Sequence, residues 1–543
     1  MGKYAVCEQE VDDLLRGEVF VDLYGIVRQA VAIGEPSYSL KYVEHLYRGS
    51  RDGDVVSAVG SMVFYQRWLD SQEGGTPETS AILMQIRDYN EEDCRSTAEL
   101  ATWLRMRQQE RGIAAIGKIV PEISGTEKQS RIVNERRHTL AREILQALPE
   151  QRPEGEAGER HRVTELLAHL LEFHRREEKP IWWRRFDREE KEERELIDDP
   201  ECLAGLQRTA RLPEPVNRSL SYEYSFDPHQ ETKIRAGDDC RFAHNWKKRA
   251  KVDTLDLDSG RALLVVGRQQ EPPPDRLSIT PDEMTSSDKL APAVERVVSR
   301  WHNLGRLSGA IEDFLFRRRP RLLRNTAGPI VPPDRDALET AIEAVLDMRS
   351  TTLCVQGPPG SGKTYTAARM ITALLRAGKR VGITSNSHRA INVLLAKTRQ
   401  AVLEAGIAIR AVKVCGDVED MDGLPEGFPR VDSGGKLFQS DDLPQLIGGT
   451  AFAFIPEDAE GTLDYLFVDE AGQVSVANLV AMSPAARNLV LLGDQMQLSQ
   501  PIQGSHPGES GQSALEYLLQ THATVPPELG IPFAHVAASP EPL

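Results

Sequence analysis

Three observations predict an α/β protein organised around a parallel sheet. From Thr351 onward, short apolar runs alternate with helical patterns. One run opens into a Gly-rich turn closed by Lys363-Thr364. Two further runs end in polar loops, at Asp469-Glu470 and at Gly493–Gln497. Apolar strands alternating with helices form a parallel sheet, because each parallel crossover needs a long connection that covers a sheet face. The expected strands are Leu353–Gln356, Arg380–Thr384, Leu463–Val468 and Asn488–Leu492, with a helix over Thr364–Ala377.

At 543 residues the chain exceeds what one hydrophobic core serves, so several domains are expected. Residues 1–110 mix short apolar runs with helical patterns such as Ser96–Met106. Residues 127–212 read as a helical region rich in Glu, Arg and Leu, with a loop at Glu150–Arg160. Residues 218–267 switch to period-two alternation broken by Gly and Asp turns, which predicts a small antiparallel sheet or barrel. RQQEPPPD (268–275) reads as a stiff linker. Residues 285–345 read as a helical linker, 346–525 as the α/β domain and 526–543 as a loop-like tail.

Bulk properties exclude some classes. No run of eighteen apolar residues occurs, so no membrane span is expected. The amino terminus lacks an apolar signal region, which points to the cytoplasm. Six cysteines without a CxxC pair read as reduced, mostly buried thiols rather than a zinc or iron–sulfur site. A net charge of -16 means that contact with nucleic acid would need a local groove rather than a basic surface.

The strongest local signal is Gly357-Pro358-Pro359-Gly360-Ser361-Gly362-Lys363-Thr364, which fits GxxxxGK[ST] and is followed by Tyr365. Glycines let backbone N–H groups close around phosphates at a positive helix end. Lys363 is expected to bridge the β and γ phosphates of ATP, and Thr364 to ligate Mg²⁺. Asp469 and Glu470 follow a buried strand. Asp469 is the second expected Mg²⁺ ligand, and Glu470 the residue that orients and deprotonates the attacking water. A third strand ends in a loop carrying Asp494 and Gln497, where the glutamine is placed to sense the γ-phosphate.

Together GPPGSGKT, VDEAGQVS and GDQMQLSQP resemble the first motor domain of superfamily 1 helicases, in the branch with GPPGTGKT loops. The resemblance covers about 340–515 and implies a RecA-like ATPase domain acting on single-stranded DNA or RNA. ITSNSHRAINVLL resembles that family's motif Ia and GGTAF its threonine-bearing strand end. Thr384, Ser385, Asn386 and Thr450 would then touch nucleic acid. An ordinary polar helix start, capped by Ser385 or Ser387, is the other reading of SNSH.

In front, Tyr89 and Asp93 stand four apart on one helical face, the YxxxD arrangement of DEDD-type exonucleases of RNase H-like fold. An ordinary exposed helix carries the same pattern. The whole chain resembles bacterial RecB-like nucleases fused to a helicase, which implies DNA binding and repair roles and makes Asp93 a nuclease metal ligand. Asp22 reads as ordering local structure. The resemblance also leads one to expect that Met1 begins inside the nuclease domain and that a second RecA-like domain is supplied elsewhere, by a partner. FRRRPRLLR (Phe316–Arg324) reads as a solvated linker or a phosphate contact. RRFDREEKEEREL (Arg184–Leu196) reads as a solvated helix face, and Trp182-Trp183 as core packing, with base stacking as the other reading. Two other readings stand beside the motor: a nucleotide-binding module without catalysis, and a nuclease regulated by its ATPase.

Overall fold

The computed structural model describes residues 14, 21–48, 58–71, 73–114, 125–217, 219–282, 289–324, 327–494, 497 and 500–533. They fall into two compact units, within 9–124 and within 125–543. No helix among the described residues is long and apolar enough to cross a membrane.

The first unit is helical in its described residues: α1 (Leu23–Ala30), α2 (Leu40–Val43), α3 (Ala58–Ser71) and the thirty-residue α4 (Ala81–Glu110). Asp22 caps α1, its carboxylate accepting from Tyr24 N at 2.9 Å and Gly25 N at 3.0 Å. Val27, Val43 and Leu100 form a small core. Beside it the buried Ser96 hydroxyl donates to Glu44 at 3.1 Å and meets the Tyr47 hydroxyl at 2.9 Å.

The second unit starts with α5 (Gly125–Gln146), α6 (Gly155–Leu170), α7 (Phe173–Glu190) and α8 (Glu193–Ile197). Seven antiparallel strands follow: β1 (Leu203–Arg208), β2 (Glu214–Val216), β3 (Ser219–Ser225), β4 (Asp239–Phe242), β5 (Asn245–Asp256), β6 (Arg261–Gly267) and β7 (Arg276–Pro281). Their order is β1-β7-β4-β5-β6-β3-β2. A further β1–β3 pairing closes six of them into a barrel around Leu206, Tyr224, Val252, Leu264 and Ile279.

Three helices, α9 (Leu290–Leu304), α10 (Gly309–Leu315) and α11 (Ala337–Asp347), lead into the second sheet. Its elements are β8 (Thr352–Gln356), α12 (Lys363–Arg376), β9 (Val381–Thr384), α13 (His388–Glu404), β10 (Ala411–Val414), β11 (Arg430–Val431), α14 (Gly434–Phe438), β12 (Leu446–Gly449), α15 (Ala451–Phe454), β13 (Leu463–Val468), α16 (Val476–Met482), β14 (Ala486–Gly493), α17 (Ala514–Leu519) and β15 (Gly530–Pro532). The order β11-β10-β12-β9-β13-β14-β8-β15 is parallel throughout. Along β14, Leu489 and Leu491 face one core while Val490 and Leu492 face the other. Each such fully buried aliphatic side chain contributes about 1.5–3 kcal/mol.

Several boundaries differ from expectation. The barrel runs from Leu203 to Pro281, so it takes in the end of the expected helical region. The proline-rich 268–275 is the loop between β6 and β7 rather than a linker. Its carbonyls are acceptors inside the barrel, with the Tyr224 hydroxyl donating to Pro274 O at 2.7 Å. The loop expected at 150–160 ends earlier, because α6 begins at Gly155. The expected helical linker is not a linker. Val294, Val298 and Phe314 of α9 and α10 share a core with Ile144 and Val163 of α5 and α6 and with Leu466 and Leu489 of the sheet. The tail also belongs to the sheet, since β15 pairs with β8. HVAASPEPL (535–543) lies outside the described residues, as do residues 1–13.

The basic run is not wholly a solvated linker: Arg318, Arg321 and Arg324 are exposed, but Arg317 is part of a clamp. Arg317 donates to Tyr517 O at 2.7 Å and to Glu509. Arg162 of α6 donates to Glu509 at 3.0 Å, to the Tyr517 hydroxyl and to Leu315 O at 2.8 Å. Arg321 pairs with buried Asp313 at 3.0 Å. The segment 184–196 is likewise not one solvated helix. It breaks between α7 and α8, and Arg188 is buried against Asp199 at 3.1 Å and Glu201 at 2.6 Å. Trp182 and Trp183 are half-buried, with the Arg185 guanidinium 4.7 Å from the Trp182 ring. Cys202, Cys240, Cys354 and Cys415 are buried free thiols, whereas Cys94 is exposed.

Removing Glu509 would leave two buried guanidinium groups without their shared carboxylate. Glu509→Ala is expected to cost about 2–3 kcal/mol of unfolding free energy, and Glu509→Gln less, because it keeps an acceptor. Denaturant melts of the three proteins measure this.

Candidate nucleotide-binding site

All the motif residues of the second unit stand at the carboxyl edge of the parallel sheet, where open α/β sheets bind ligands. β8 runs into the Gly357–Gly362 loop, β13 delivers Asp469 and Glu470, and β14, paired between them, ends at Gly493 and Asp494. Cross-strand bonds hold the three ends level. Gly357 N donates to Gly493 O at 3.1 Å, Ala471 N to Leu492 O at 2.8 Å and Asp469 N to Thr384 O at 2.8 Å.

A cavity of about 540 Å³ opens there, lined by Pro359, Gly360, Gly362, Lys363, Thr364 and Tyr365, and by Asp469, Glu470, Asp494 and Gln497. The loop fits a phosphate. Gly360 and Gly362 have φ of +77° and +86°, and a Cβ on either would meet nothing within 4 Å, so an open cradle lies above them. The buried Ser361 hydroxyl makes no hydrogen bond among the described residues. Gly357 is required for a different reason: a Cβ there would sit 2.6 Å from Ser361 Oγ and 2.9 Å from Phe533. Lys363 Nζ is folded back onto the loop, donating to Pro358 O at 2.9 Å and to Gly357 O. Burial lowers its pKa, against the opposing pull of Asp494 and Asp469.

Asp469 is 9% exposed, and burial, with nearby Glu470, pushes its pKa up to about 6. The Thr364 hydroxyl and the Asp469 carboxylate line one cavity and are a hard oxygen donor set suited to Mg²⁺. Glu470 adopts φ +54°, a left-handed conformation that a non-glycine residue pays for with strain. The turn is held by Gln473 N donating to Glu470 O at 2.7 Å, and it points the carboxylate toward the cavity.

The expected nucleic-acid residues are placed differently. Thr384 and Ser385, at the end of β9, are each 1% exposed, and Ser385 Oγ lies 3.5 Å from Glu470. Asn386 is exposed and its amide donates to Gln473 O. Ser387 caps α13, accepting from Ala390 N at 3.3 Å. Thr450 starts α15 at the end of β12 without a side-chain cap bond. In the first unit Tyr89 and Asp93 share α4, and no cluster of three metal-ligating side chains occurs among the described residues. Gln495, Met496, Leu498 and Ser499 of the Gln497 loop lie outside the described residues. Arg389 and Lys397, which also line the cavity, were missed in the sequence. Their signal is the spacing of Arg389, Val393 and Lys397, four residues apart on one helical face.

The chain after Gln497 is bracketed by α7. The Glu177 carboxylate accepts from Gln503 N at 3.1 Å and Gly504 N at 3.0 Å, and pairs with His506 Nε2 at 2.6 Å. Burial alone would raise its pKa, but His506 and the two N–H groups hold it below the usual carboxylate range. One turn earlier, His174 Nε2 meets Asn478 Oδ1 at 3.0 Å.

These features define a P-loop domain in one unit and a helical segment with a YxxxD face in the other. Residues 4–105 match the family model described as RNase_H superfamily, and residues 337–510 the one described as AAA domain. The chain thus joins an RNase H-like domain to an AAA domain. It is similar to the DNA replication ATP-dependent helicase/nuclease DNA2 of Gallus gallus, at 30% identity over 226 residues, 38% of this chain and 22% of that protein. The same protein of Bos taurus is 32% identical over 186 residues, 33% of this chain and 17% of that protein. The chain therefore spans about a fifth of the length of these relatives. Pif1 helicase from Candida albicans aligns at 16% identity over 38% of this chain and 41% of that chain, with a TM-score of 0.20.

Glu470→Gly is expected to relieve the left-handed strain, raising stability by about 1 kcal/mol while removing the carboxylate. Thermal melts that show a loss instead would mean that the turn is unstrained. For His174, burial first, with Arg137 and His506 nearby and Asn478 and Glu177 opposing, lowers the pKa from 6.5 to about 4. The unfolded chain then takes up a proton first, so stability falls as pH drops from about 6.5 toward 4. His174→Gln should flatten that slope by up to about one proton in pH-dependent denaturation.

Proposed function

We propose that the second unit is the ATP-hydrolysing motor domain of a superfamily 1-type helicase/nuclease that acts on single-stranded DNA or RNA. The observation that carries this reading is the convergence of Lys363, Thr364, Asp469, Glu470 and Gln497 on one cavity at the carboxyl edge of the parallel sheet. In this reading Lys363 leaves its loop carbonyls for the β and γ phosphates as the triphosphate enters. Gly357–Gly362, with Ser361, wrap the phosphates through backbone N–H groups. Thr364 and Asp469 would hold Mg²⁺, which would neutralise phosphate charge. Glu470, fixed by its turn, accepts a proton from the attacking water, and Gln497 orients that water. Tyr365, half-exposed at the rim, borders the nucleotide.

Thr384, Ser385, Asn386 and Thr450 stand at the ends of neighbouring strands β9 and β12, which supports a nucleic-acid track along that edge. Reaching it from the buried Thr384 and Ser385 requires the edge to open. The similarity to DNA2 proteins favours DNA. In the finer reading the chain is a cytoplasmic, RecB-like nuclease–helicase whose Asp93 serves a nuclease metal site.

ATP turnover by the purified chain, with and without single-stranded DNA and RNA, tests this. Lys363→Ala is expected to abolish nucleotide binding. Glu470→Gln should keep binding and lose turnover by at least about a hundredfold. Undiminished turnover in Glu470→Gln would sink the role given to that carboxylate. ATP binding without turnover under any condition would favour a nucleotide-binding module instead.

A further inference from the structure

The cavity holds two cations, Arg389 and Lys397, that the roles above leave unused. Arg389 lines it from the first turn of α13, together with Val393 and Lys397 on the same face. The opposite face of that helix is fixed, with Ile391, Leu394 and Leu395 each fully buried. The helix is pinned again by Asn392, whose amide donates to Asp420 O and Asp422 O at 2.8 Å each. Arg389 is therefore an exposed side chain on a rigid base, and no carboxylate pairs with it among the described residues. Many other arginines of this unit are engaged, as Arg162, Arg188, Arg317 and Arg321 show.

Sheet order says which end of a nucleotide Arg389 faces. The phosphate loop rises from β8, and the carboxylates that would meet the γ-phosphate come from β13, two strands away. α13 follows β9, the strand beyond β13, so Arg389 approaches from the carboxylate side and not from the loop side. Charge points the same way. The cavity pairs Asp469, Glu470 and Asp494 with Lys363, Arg389 and Lys397, and a magnesium triphosphate adds net negative charge to that balance. Lys363 is assigned to the phosphate loop, and Lys397 stands further along α13 than Arg389, away from its first turn. Arg389 is the remaining cation.

We propose that Arg389 contacts the γ-phosphate of the bound nucleoside triphosphate in cis, distinguishing triphosphate from diphosphate and stabilising the charge that develops during hydrolysis. A guanidinium suits that task because its fork matches phosphate oxygens and it stays charged. This rests on the ATPase reading above.

The test compares wild type, Arg389→Ala and Arg389→Lys by titration with ATPγS and with ADP in Mg²⁺, and by ATP turnover. In Arg389→Ala the ATPγS affinity is expected to fall about tenfold while ADP affinity stays within about twofold, and turnover to fall about a hundredfold or more. Arg389→Lys should recover part of both losses. Equal loss for ATPγS and ADP, or no loss for either, overturns the proposal. So does a fall in affinity for single-stranded DNA or RNA with an unchanged ATPγS-to-ADP ratio. A wild type that binds neither nucleotide would sink the ATPase reading, and this inference with it. A wild type that binds both, matched by Arg389→Ala, sinks this inference alone.

Discussion

A parallel sheet cannot leave a face open to water, because its strands are apolar on both sides and its crossovers must go somewhere. β13 and β14 carry that constraint in alternation: Leu466, Leu489 and Leu491 face one core, and Phe467, Val490 and Leu492 the other. The second face is covered by the crossovers α12 and α13, together with α11, which precedes the first strand. The first is covered by helices from far earlier in the chain, α5, α6, α9 and α10, with α16. What reads as a helical region and a helical linker is therefore the missing half of the sheet's packing. The same constraint places every strand end, and so every candidate catalytic residue, on one edge.

The segment from Arg162 to Glu177 ties this cover to the loops that follow β14. Arg162 and Arg317 share Glu509 and Tyr517, and Glu177 holds Gln503, Gly504 and His506. A Cβ at Gly504 would come within 2.4 Å of Arg176 O, so the backbone approach itself is close. The loop that carries Gln497 is thus anchored downstream by α7. The same helix meets the barrel, with the Arg185 guanidinium 5.2 Å from the Trp246 ring.

Much of the site was legible because its chemistry depends on short, contiguous spacings. The phosphate loop needs glycines at Gly360 and Gly362 and a lysine immediately after, whatever surrounds it. Asp469-Glu470 and Gly493–Gln497 are legible as polar ends of apolar runs. The left-handed turn at Glu470 was not, since nothing in a glutamate reports a positive φ. Arg389 and Lys397 were not either, because a helical cation reads as solvated until the fold turns its face toward a cavity. Arg317 in the basic run 316–324 shows the reverse error: it reads as exposed, and the carboxylate it is packed against, Glu509, lies far away in sequence.

By itself the sequence determined the class of the sheet, four of its eight strands and the Gly-rich loop at its edge, since these follow from local apolar runs and fixed spacings. It also announced the barrel by period-two alternation, without its first and last strands. Tertiary structure alone decided that the barrel closes through β1 and β7, that the helices before the ATPase segment complete its core, and that the segment after residue 525 adds a strand beside the phosphate loop. Those outcomes depend on long-range pairing, where an apolar stripe states that it must be buried but not against what.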